Sequence, residues 1–384
     1  MKSEVRSPKS EGGAPAKARY IMVGGFLGAG KTTAVARLAR HLRDRGFKVG
    51  LITNDQGHQL VDTAMLASHG FPVKEIPGGC FCCRFNSLVE AARTLSAETR
   101  PDVFIAEPVG SCTDLVATVS YPLRRIYGDD FTVAPLSVLV DPIRARRVLG
   151  LASGGKFSEK VLYIYRKQLE EADVIVINKR DLLDPEQLTE LRTALSAQFS
   201  SAQIFEISAR NSQGLADWFA RIASGAQASR PAMEVDYEIY AEGEALLGWL
   251  NASVKLAAPA AFDGNAVLSI LAAAMQKRLA HDAAEIAHLK MTLDPENGIG
   301  DLAVINLVRN DYVAELSQQL QDPLQAGHLI INIRAEVMPE ALRAAVEDSL
   351  KEISGSATGV TAALEHLEFF QPGKPQPTHR FTVP

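Results

Sequence analysis

At 384 residues, 47% hydrophobic and 22% charged, the chain has an ordinary globular composition and enough length for two domains, each with its own core. No stretch approaches ~18 consecutive apolar residues, which excludes a spanning helix. A net charge of −5 without a long like-charged block argues against nucleic acid as a partner. Residues 1–19 mix Lys, Ser, Gly, Pro and Glu with no apolar run. They read as a disordered tail rather than a secretory signal, and a cytoplasmic protein is expected.

From Tyr20 the sequence alternates β-rich runs with helical stretches. The first predicted strand, Tyr20–Phe26, leads into Gly25-Phe26-Leu27-Gly28-Ala29-Gly30-Lys31-Thr32, which fits G-x-x-x-x-G-K-[ST]. A helix is predicted over Thr32–Arg45. In a strand–loop–helix context the glycines let backbone N–H groups turn toward phosphate oxygens. Lys31 would bridge the β- and γ-phosphates and the Thr32 hydroxyl would ligate Mg²⁺. Gly25, Gly28, Ala29, Gly30, Lys31, Thr32 and Thr33 are the expected phosphate-binding residues.

Strands are next predicted at Lys48–Thr53 and Val73–Ile76. The second runs into Pro77-Gly78-Gly79-Cys80-Phe81-Cys82-Cys83, which holds three of the chain's four cysteines. Such crowding does not suit a disulfide framework, and in a reducing compartment it points to metal or redox chemistry. Adjacent glycines let close thiols converge, and thiolates suit Zn²⁺, Cu(I) and similar cations, with a coordination position left for a fourth group. Three buried thiols without metal and a thiol-redox switch are the alternatives. The strand Asp102–Glu107 ends in Glu107-Pro108-Val109-Gly110, where an acid can act on the Mg²⁺ shell or on water and Gly110 can offer its N–H to the γ-phosphate. Cys112, farther along, is expected to be a buried helix-start residue.

Further strands are predicted at Ala134–Asp141, Asp173–Asn178 and Ile204–Ser208, with a helix over Pro185–Ala197. Consecutive apolar positions, as in Val174–Ile177, suit strands buried on both faces of a parallel sheet. The alternation predicts a doubly wound, mostly parallel α/β domain over residues 20–225. Asn178-Lys179-Arg180-Asp181 gives N-K-x-D at a strand's carboxyl end, where such folds bind ligands. Asp181 can accept from guanine N1–H and its 2-amino group, which adenine does not offer. Asn178 and Lys179 would hold the loop, with Ser208 and Ala209 completing the base pocket.

Around Ser224–Pro231 the pattern breaks into small and polar residues, and residues 226–240 read as a linker. A smaller α+β domain follows over residues 241–371, ferredoxin-like in strand–helix order with an extra strand. Its predicted strands are Ala245–Leu256, Ile286–Leu293, Ala303–Val308, Leu329–Val337 and Leu364–Phe370, with helices over Asn265–Ala280 and Pro339–Glu352. Residues 372–384 form a Pro-rich tail.

In this order the phosphate loop, the Gly-Gly-Cys-Phe-Cys-Cys segment, Glu107–Gly110 and Asn178–Asp181 resemble CobW-like metallochaperone GTPases, P-loop GTPases related to UreG and HypB. The likeness spans about Tyr20–Gly225. It implies slow GTP hydrolysis coupled to binding and delivery of a metal such as Zn²⁺ or Co²⁺, held by Cys80, Cys82 and Cys83, to a client metalloprotein. Lys31 and Glu107 are then catalytic, with Thr32 and Glu107 on Mg²⁺. Asn54-Asp55-Gln56-Gly57 with downstream Asp62 is similar to the family's Asn-Glu-x-Gly switch segment, Asp55 standing where Glu is usual. Asp55 and Asp62 are the implied metal contacts, and Gln56 is placed to orient water. His58 is a solvated histidine or a nitrogen ligand. The family's His-rich stretch is missing, since His281, His288, His328, His366 and His379 are scattered singly and expected to be structural or exposed. A monomer or homodimer is expected. Two other readings stay open: a GTPase chaperone of a cobalamin- or metal-dependent enzyme acting by contact, and a nucleotide-independent zinc storage or sensor module.

Overall fold

The computed structural model describes residues 17–54, 61–296, 301–355 and 359–384. Among them, eight strands form the first sheet: β1 (Ala18–Gly25), β2 (Val49–Asn54), β3 (Val73–Ile76), β4 (Val103–Glu107), β5 (Phe131–Val133), β6 (Ser137–Val140), β7 (Val174–Ile177) and β8 (Gln203–Glu206). Their order is β3-β2-β4-β1-β6-β7-β8, β5 also pairs with β1, and all pairings are parallel. Helices cover both faces, so central strands carry runs of consecutive apolar residues; all four residues of β7 are apolar and buried. One face packs around Phe26, Ile52, Phe104 and Ile175, the other around Ile21, Leu38, Val174 and Trp218. From central β1 the chain winds to one side through β2, β3 and β4 and to the other through β6, β7 and β8. The reversal opens a crevice at the carboxyl end of β1, where the phosphate loop sits. The strand expected from Ala134 starts at Ser137, because Pro135 lacks the N–H a ladder needs; β5 ends before it.

The second sheet holds β9 (Leu247–Phe262), β10 (Glu285–Pro295), β11 (Ala303–Leu307), β12 (Glu315–Gln318), β13 (Leu324–Glu336) and β14 (Thr361–Phe370). Its order is β12-β11-β10-β13-β9-β14 and every pairing is antiparallel. With β11 and β12 set aside, the connectivity β9–helix–β10–β13–helix–β14 is the ferredoxin-like βαββαβ pattern, extended by two strands rather than one. Leu250, Ala252, Val254 and Leu256 pack with helices Gly264–His281 and Pro339–Ser354. The alternate position Trp249 joins the first sheet's core instead, as a two-residue period requires.

Buried arginines fasten the two halves. Arg144 donates to Leu27 O at 2.6 Å and Val308 O at 2.6 Å, and Arg309 Nη1 donates to Asp141 Oδ1 at 3.0 Å. The segment read as a linker carries the start of helix Tyr237–Ala245. The terminal segment returns to the first half, where Phe381 N–H donates to Ala117 O at 2.9 Å and Ala232 N–H donates to Thr382 O at 2.8 Å. Among the described residues, no helix is long and apolar enough to cross a membrane.

Candidate functional site

Two cavities hold the chemistry that the sequence singles out. The first, of about 310 Å³, is lined by Gly28, Gly30, Lys31, Thr32, Thr33, Glu107, Gly110, Asn178, Lys179, Asp181, Ser208 and Ala209. Gly25 and Ala29 lie in the same phosphate loop. Gly30 has φ 86, and a Cβ there would stand 2.5 Å from Asn178 Nδ2, so the loop closes on the Asn178 amide only because position 30 has no side chain. That amide donates to Ala29 O at 2.9 Å, and its Oδ1 accepts from Ala209 N–H at 3.0 Å, joining the phosphate loop to the Ser208–Ala209 turn. Lys179 Nζ donates to Gly28 O at 2.7 Å and pairs with Asp141 Oδ2 at 2.9 Å.

Lys31 is a buried cation whose Nζ donates to Gly25 O at 3.0 Å. The Thr32 hydroxyl donates to Glu107 Oε1 at 2.9 Å. A buried cation over a glycine loop suits a phosphate chain, and the paired hydroxyl and carboxylate oxygens suit a hard cation such as Mg²⁺. Asp181 lines the cavity from an exposed position where a base edge can reach it.

The cavity has further walls that the sequence does not announce. Asp141 caps the helix Pro142–Val148 at the end of β6. Burial opposes its charge, yet Lys179, Arg309 and Arg144 hold its carboxyl below the usual carboxylate range. The Asp141-Pro142 pair after an apolar strand was the available signal. His288, Lys290 and Asn306, from β10 and β11, line the cavity from the second sheet. His288 is 7% exposed, and burial, reinforced by Lys290, Arg334 and Lys31, keeps its imidazole neutral, its pKa well below the usual value. Expected to be structural or exposed, it is a buried wall residue of this cavity. Asp55, Gln56 and His58 lie outside the described residues, as does the side chain of Asp62.

The second cavity, of about 380 Å³, is lined by Gly78, Gly79, Cys80, Cys83, Glu244, Glu368, Phe370, Gly373, Lys374 and Pro375. Gly79 has φ 144, a conformation that turns the chain so that Cys80 enters the core. The sulfurs of Cys80, Cys82 and Cys83 lie within 4.8 Å of one another. Cys80 Sγ is 2.7 Å from Cys82 Sγ and 3.2 Å from Cys83 Sγ, and Cys82 and Cys83 are 3.7 Å apart. Tetrahedral zinc thiolates at ~2.3 Å require sulfurs about 3.8 Å apart, so closure on an ion needs only a small outward shift of Cys80. Hydrogen bonding with Cys112, Cys82 and Cys83 holds the Cys80 thiol well below the usual range, while its neighbours are pushed up, Cys83 to about 11.

Cys112 therefore touches the motif, although sequence separation kept it apart. Glu244, 1% exposed, reaches the cavity from helix Tyr237–Ala245 and accepts from Ser111 Oγ at 2.6 Å. Burial, then Cys80, raises its pKa well above the usual carboxyl value. Neither residue carries a spacing signal that joins it to the motif. The two cavities are linked by Asn54 at the end of β2. Its Nδ2 donates to Ile76 O at 2.8 Å and to Gly79 O at 2.6 Å.

A parallel sheet with a phosphate loop at its switch point, followed by an antiparallel ferredoxin-like half, defines a two-part P-loop GTPase fold. Residues 19–206 match the family model described as CobW/HypB/UreG, nucleotide-binding domain. The chain is 34% identical to the zinc chaperone YeiR of Escherichia coli K12 over 171 residues, 44% of this chain and 48% of YeiR. It is 28% identical to the zinc chaperone CobW of Sinorhizobium sp over 208 residues, covering 47% of this chain and 55% of that protein. The alignments thus span about half the length of these curated relatives. A crystal structure of HypB from Helicobacter pylori in complex with nickel overlays 53% of this chain and 84% of its own at 20% identity and TM-score 0.39.

Proposed function

We propose that the chain binds GTP with Mg²⁺, hydrolyses it slowly to GDP and phosphate, and uses that cycle to open and close a three-thiol site that carries zinc to a client protein. Lys31 and the glycine loop hold the β- and γ-phosphates, and Asp181, with Asn178 bracing its loop, selects guanine. Thr32 and Glu107 would hold Mg²⁺, which lowers the cost of charge building on the phosphates. Zinc is the cargo, favoured because the matched relatives are named zinc chaperones and because thiolates suit it. Cobalt has the same ligand preferences and is the alternative cargo.

The observation that carries the reading is the double donation of Asn54 to Ile76 O and Gly79 O. β2 delivers Asn54 to the phosphate-loop cavity, and the same side chain grips the backbone that precedes Cys80. Movement of the β2 end with nucleotide state therefore moves the thiol loop.

The test is a Zn²⁺ titration of the full chain with Mg-GDP and with a non-hydrolysable GTP analogue, beside a Cys80/Cys82/Cys83→Ala variant. Stoichiometric, cysteine-dependent binding that tightens in the GTP-like state is expected. Binding indifferent to nucleotide would remove the gating, and binding unchanged in the variant would remove the thiol site.

A further inference from the structure

The terminal segment is laid across the thiol loop itself. Gln376 N–H donates to Cys83 Sγ at 3.2 Å, Thr378 N–H donates to Cys82 O at 2.9 Å, and the Thr378 hydroxyl donates to Cys83 O at 3.1 Å. Beyond it, Arg380 Nε donates to Asp114 Oδ2 at 2.7 Å, and Asp114 is 1% exposed. His379 meets the buried Phe85 ring edge-on at 5.1 Å between centroids. Lys374 pairs with Glu238, and Gly373, Lys374 and Pro375 wall the cavity onto which Cys80 and Cys83 open.

These contacts have the form of an extended peptide held by main-chain bonds, one hydroxyl and one cation, a recognised mode of peptide capture. Most of the occupant's side-chain bonds lie at the surface, where Gln376, Thr378 and Arg380 are exposed, while Pro375 is buried and Phe381 packs on the first core. Cys83 is the half-buried thiol of the motif, while Cys80 and Cys82 are buried at 4% and 1% exposure. Any reagent, ion or receiving group that approaches along this side meets the segment before it meets sulfur.

We propose that the track from Cys83 to Asp114 is an exchangeable peptide-docking surface. Its resident occupant is residues 374–382, and its partner is an extended segment of a receiving protein with a hydroxyl residue two positions before an arginine, as Thr378 precedes Arg380. Docking of that segment displaces the chain's own and brings the receiver beside the thiols. The proposal rests on the thiol site being the transfer site, but its test does not need metal.

The experiment uses the full chain with Thr378→Pro and Arg380→Glu together. The first change removes the N–H and hydroxyl bonds, and the second opposes Asp114. Reaction of the metal-free thiols with an aromatic disulfide is expected to run roughly 100-fold faster or more than in the unchanged chain, the scale set by loss of a charged bond and two neutral ones. A synthetic peptide of residues 374–384 added in trans is expected to restore protection, and the same peptide with Arg380→Glu is not. Unchanged urea midpoints would show that the fold is intact. Equal thiol rates in variant and unchanged chain, or acceleration that the peptide does not reverse, overturn the proposal. Zn²⁺ titrated in parallel separates the two readings: protection that responds to the peptide in a chain that binds no Zn²⁺ keeps the docking surface and removes the metal site.

Discussion

A carboxylate at position 181 reads guanine by accepting two hydrogen bonds, from N1–H and the 2-amino group. Asp181→Asn replaces one acceptor by a donor, which faces that amino group but suits the 2-carbonyl of xanthine. Loss of charged hydrogen bonds worth about 1.5–3 kcal/mol each predicts GTP binding weaker by roughly 100-fold, with xanthosine triphosphate gaining, measured by competition against a fluorescent nucleotide. Retained GTP preference would show that Asp181 does not meet the base. Asp141 acts at one remove, through Lys179 and Arg309 at 2.9 and 3.0 Å. Asp141→Asn leaves the buried Arg309 and Arg144 and the half-buried Lys179 without their counter-charge, and a loss of about 3–5 kcal/mol in urea unfolding is expected. The sign with pH follows from the lowered carboxyl pKa. The stabilisation is present above the ordinary carboxylate range and is lost as acid carries the pH down through the folded value.

Helix Glu159–Glu171 organises the stretch that joins the two cavities. Gln168 Nε2 donates to Gly110 O at 2.9 Å and to Cys112 O at 2.8 Å, while Glu171 Oε2 accepts Val116 N–H at 2.9 Å. Burial raises the Glu171 pKa well above the usual value, the opposite sign to Asp141. Its carboxyl therefore costs stability progressively as pH rises from the unfolded value, near 4.3, toward the folded one. Glu171→Gln keeps an acceptor for Val116 N–H and offers an amide N–H to the Thr113 hydroxyl, which now donates to Glu171 Oε1, and is expected to raise the urea midpoint at pH 7 to 8 with a shrinking gain toward pH 4. A gain independent of pH would mean that the carboxyl is not the source. The elements themselves were legible where the pattern was local: β3 lies over Val73–Ile76 as read, and the helix expected over Pro185–Ala197 ends one residue later. The phosphate loop and the Cys80–Cys83 motif were legible for the same reason, each being a contiguous signature whose spacing states its chemistry. β5 is three residues long and β12, Glu-Leu-Ser-Gln, has a single apolar residue, so neither carries a pattern that announces it. Contacts made across the chain were hidden altogether, since no spacing rule joins Glu244 to Ser111 or Gln376 to Cys83 over 293 positions.

The second half is also built into the path between the cavities. Val61 N–H, at the wall of the phosphate-loop cavity, donates to Asn332 Oδ1 at 3.1 Å. Asn332 Nδ2 donates to Asn251 Oδ1 at 3.0 Å, and Asn251 Nδ2 donates to Glu368 Oε2 at 3.3 Å. Glu368 lines the cavity that holds Cys80 and Cys83. These three residues share one cross-strand row, in which Asn332 faces Asn251 and Asn251 faces Glu368. Arg334 Nη2 also donates to Asn251 Oδ1, at 2.8 Å, so the amide has little freedom to turn. A shift of the helix that starts at Val61 is thus felt at Glu368 through bonds that are buried except at their last member. Glu368→Ala cuts the row at that partly exposed end, taking from Asn251 Nδ2 its carboxylate acceptor and leaving the Asn332–Asn251 bond in place. If the row transmits, the ratio of Zn²⁺ affinities between GTP-analogue and GDP states falls by roughly 2- to 30-fold, the range of 0.5–2 kcal/mol of coupling. GTP affinity without metal stays unchanged. Because coupling is reciprocal, the factor by which Zn²⁺ tightens GTP-analogue binding must fall equally, and isothermal titration in both orders reads it twice. A drop in Zn²⁺ affinity that is the same in both nucleotide states would instead make Glu368 a local contact of the thiol cavity, leaving Asn54 as the link between the two sites.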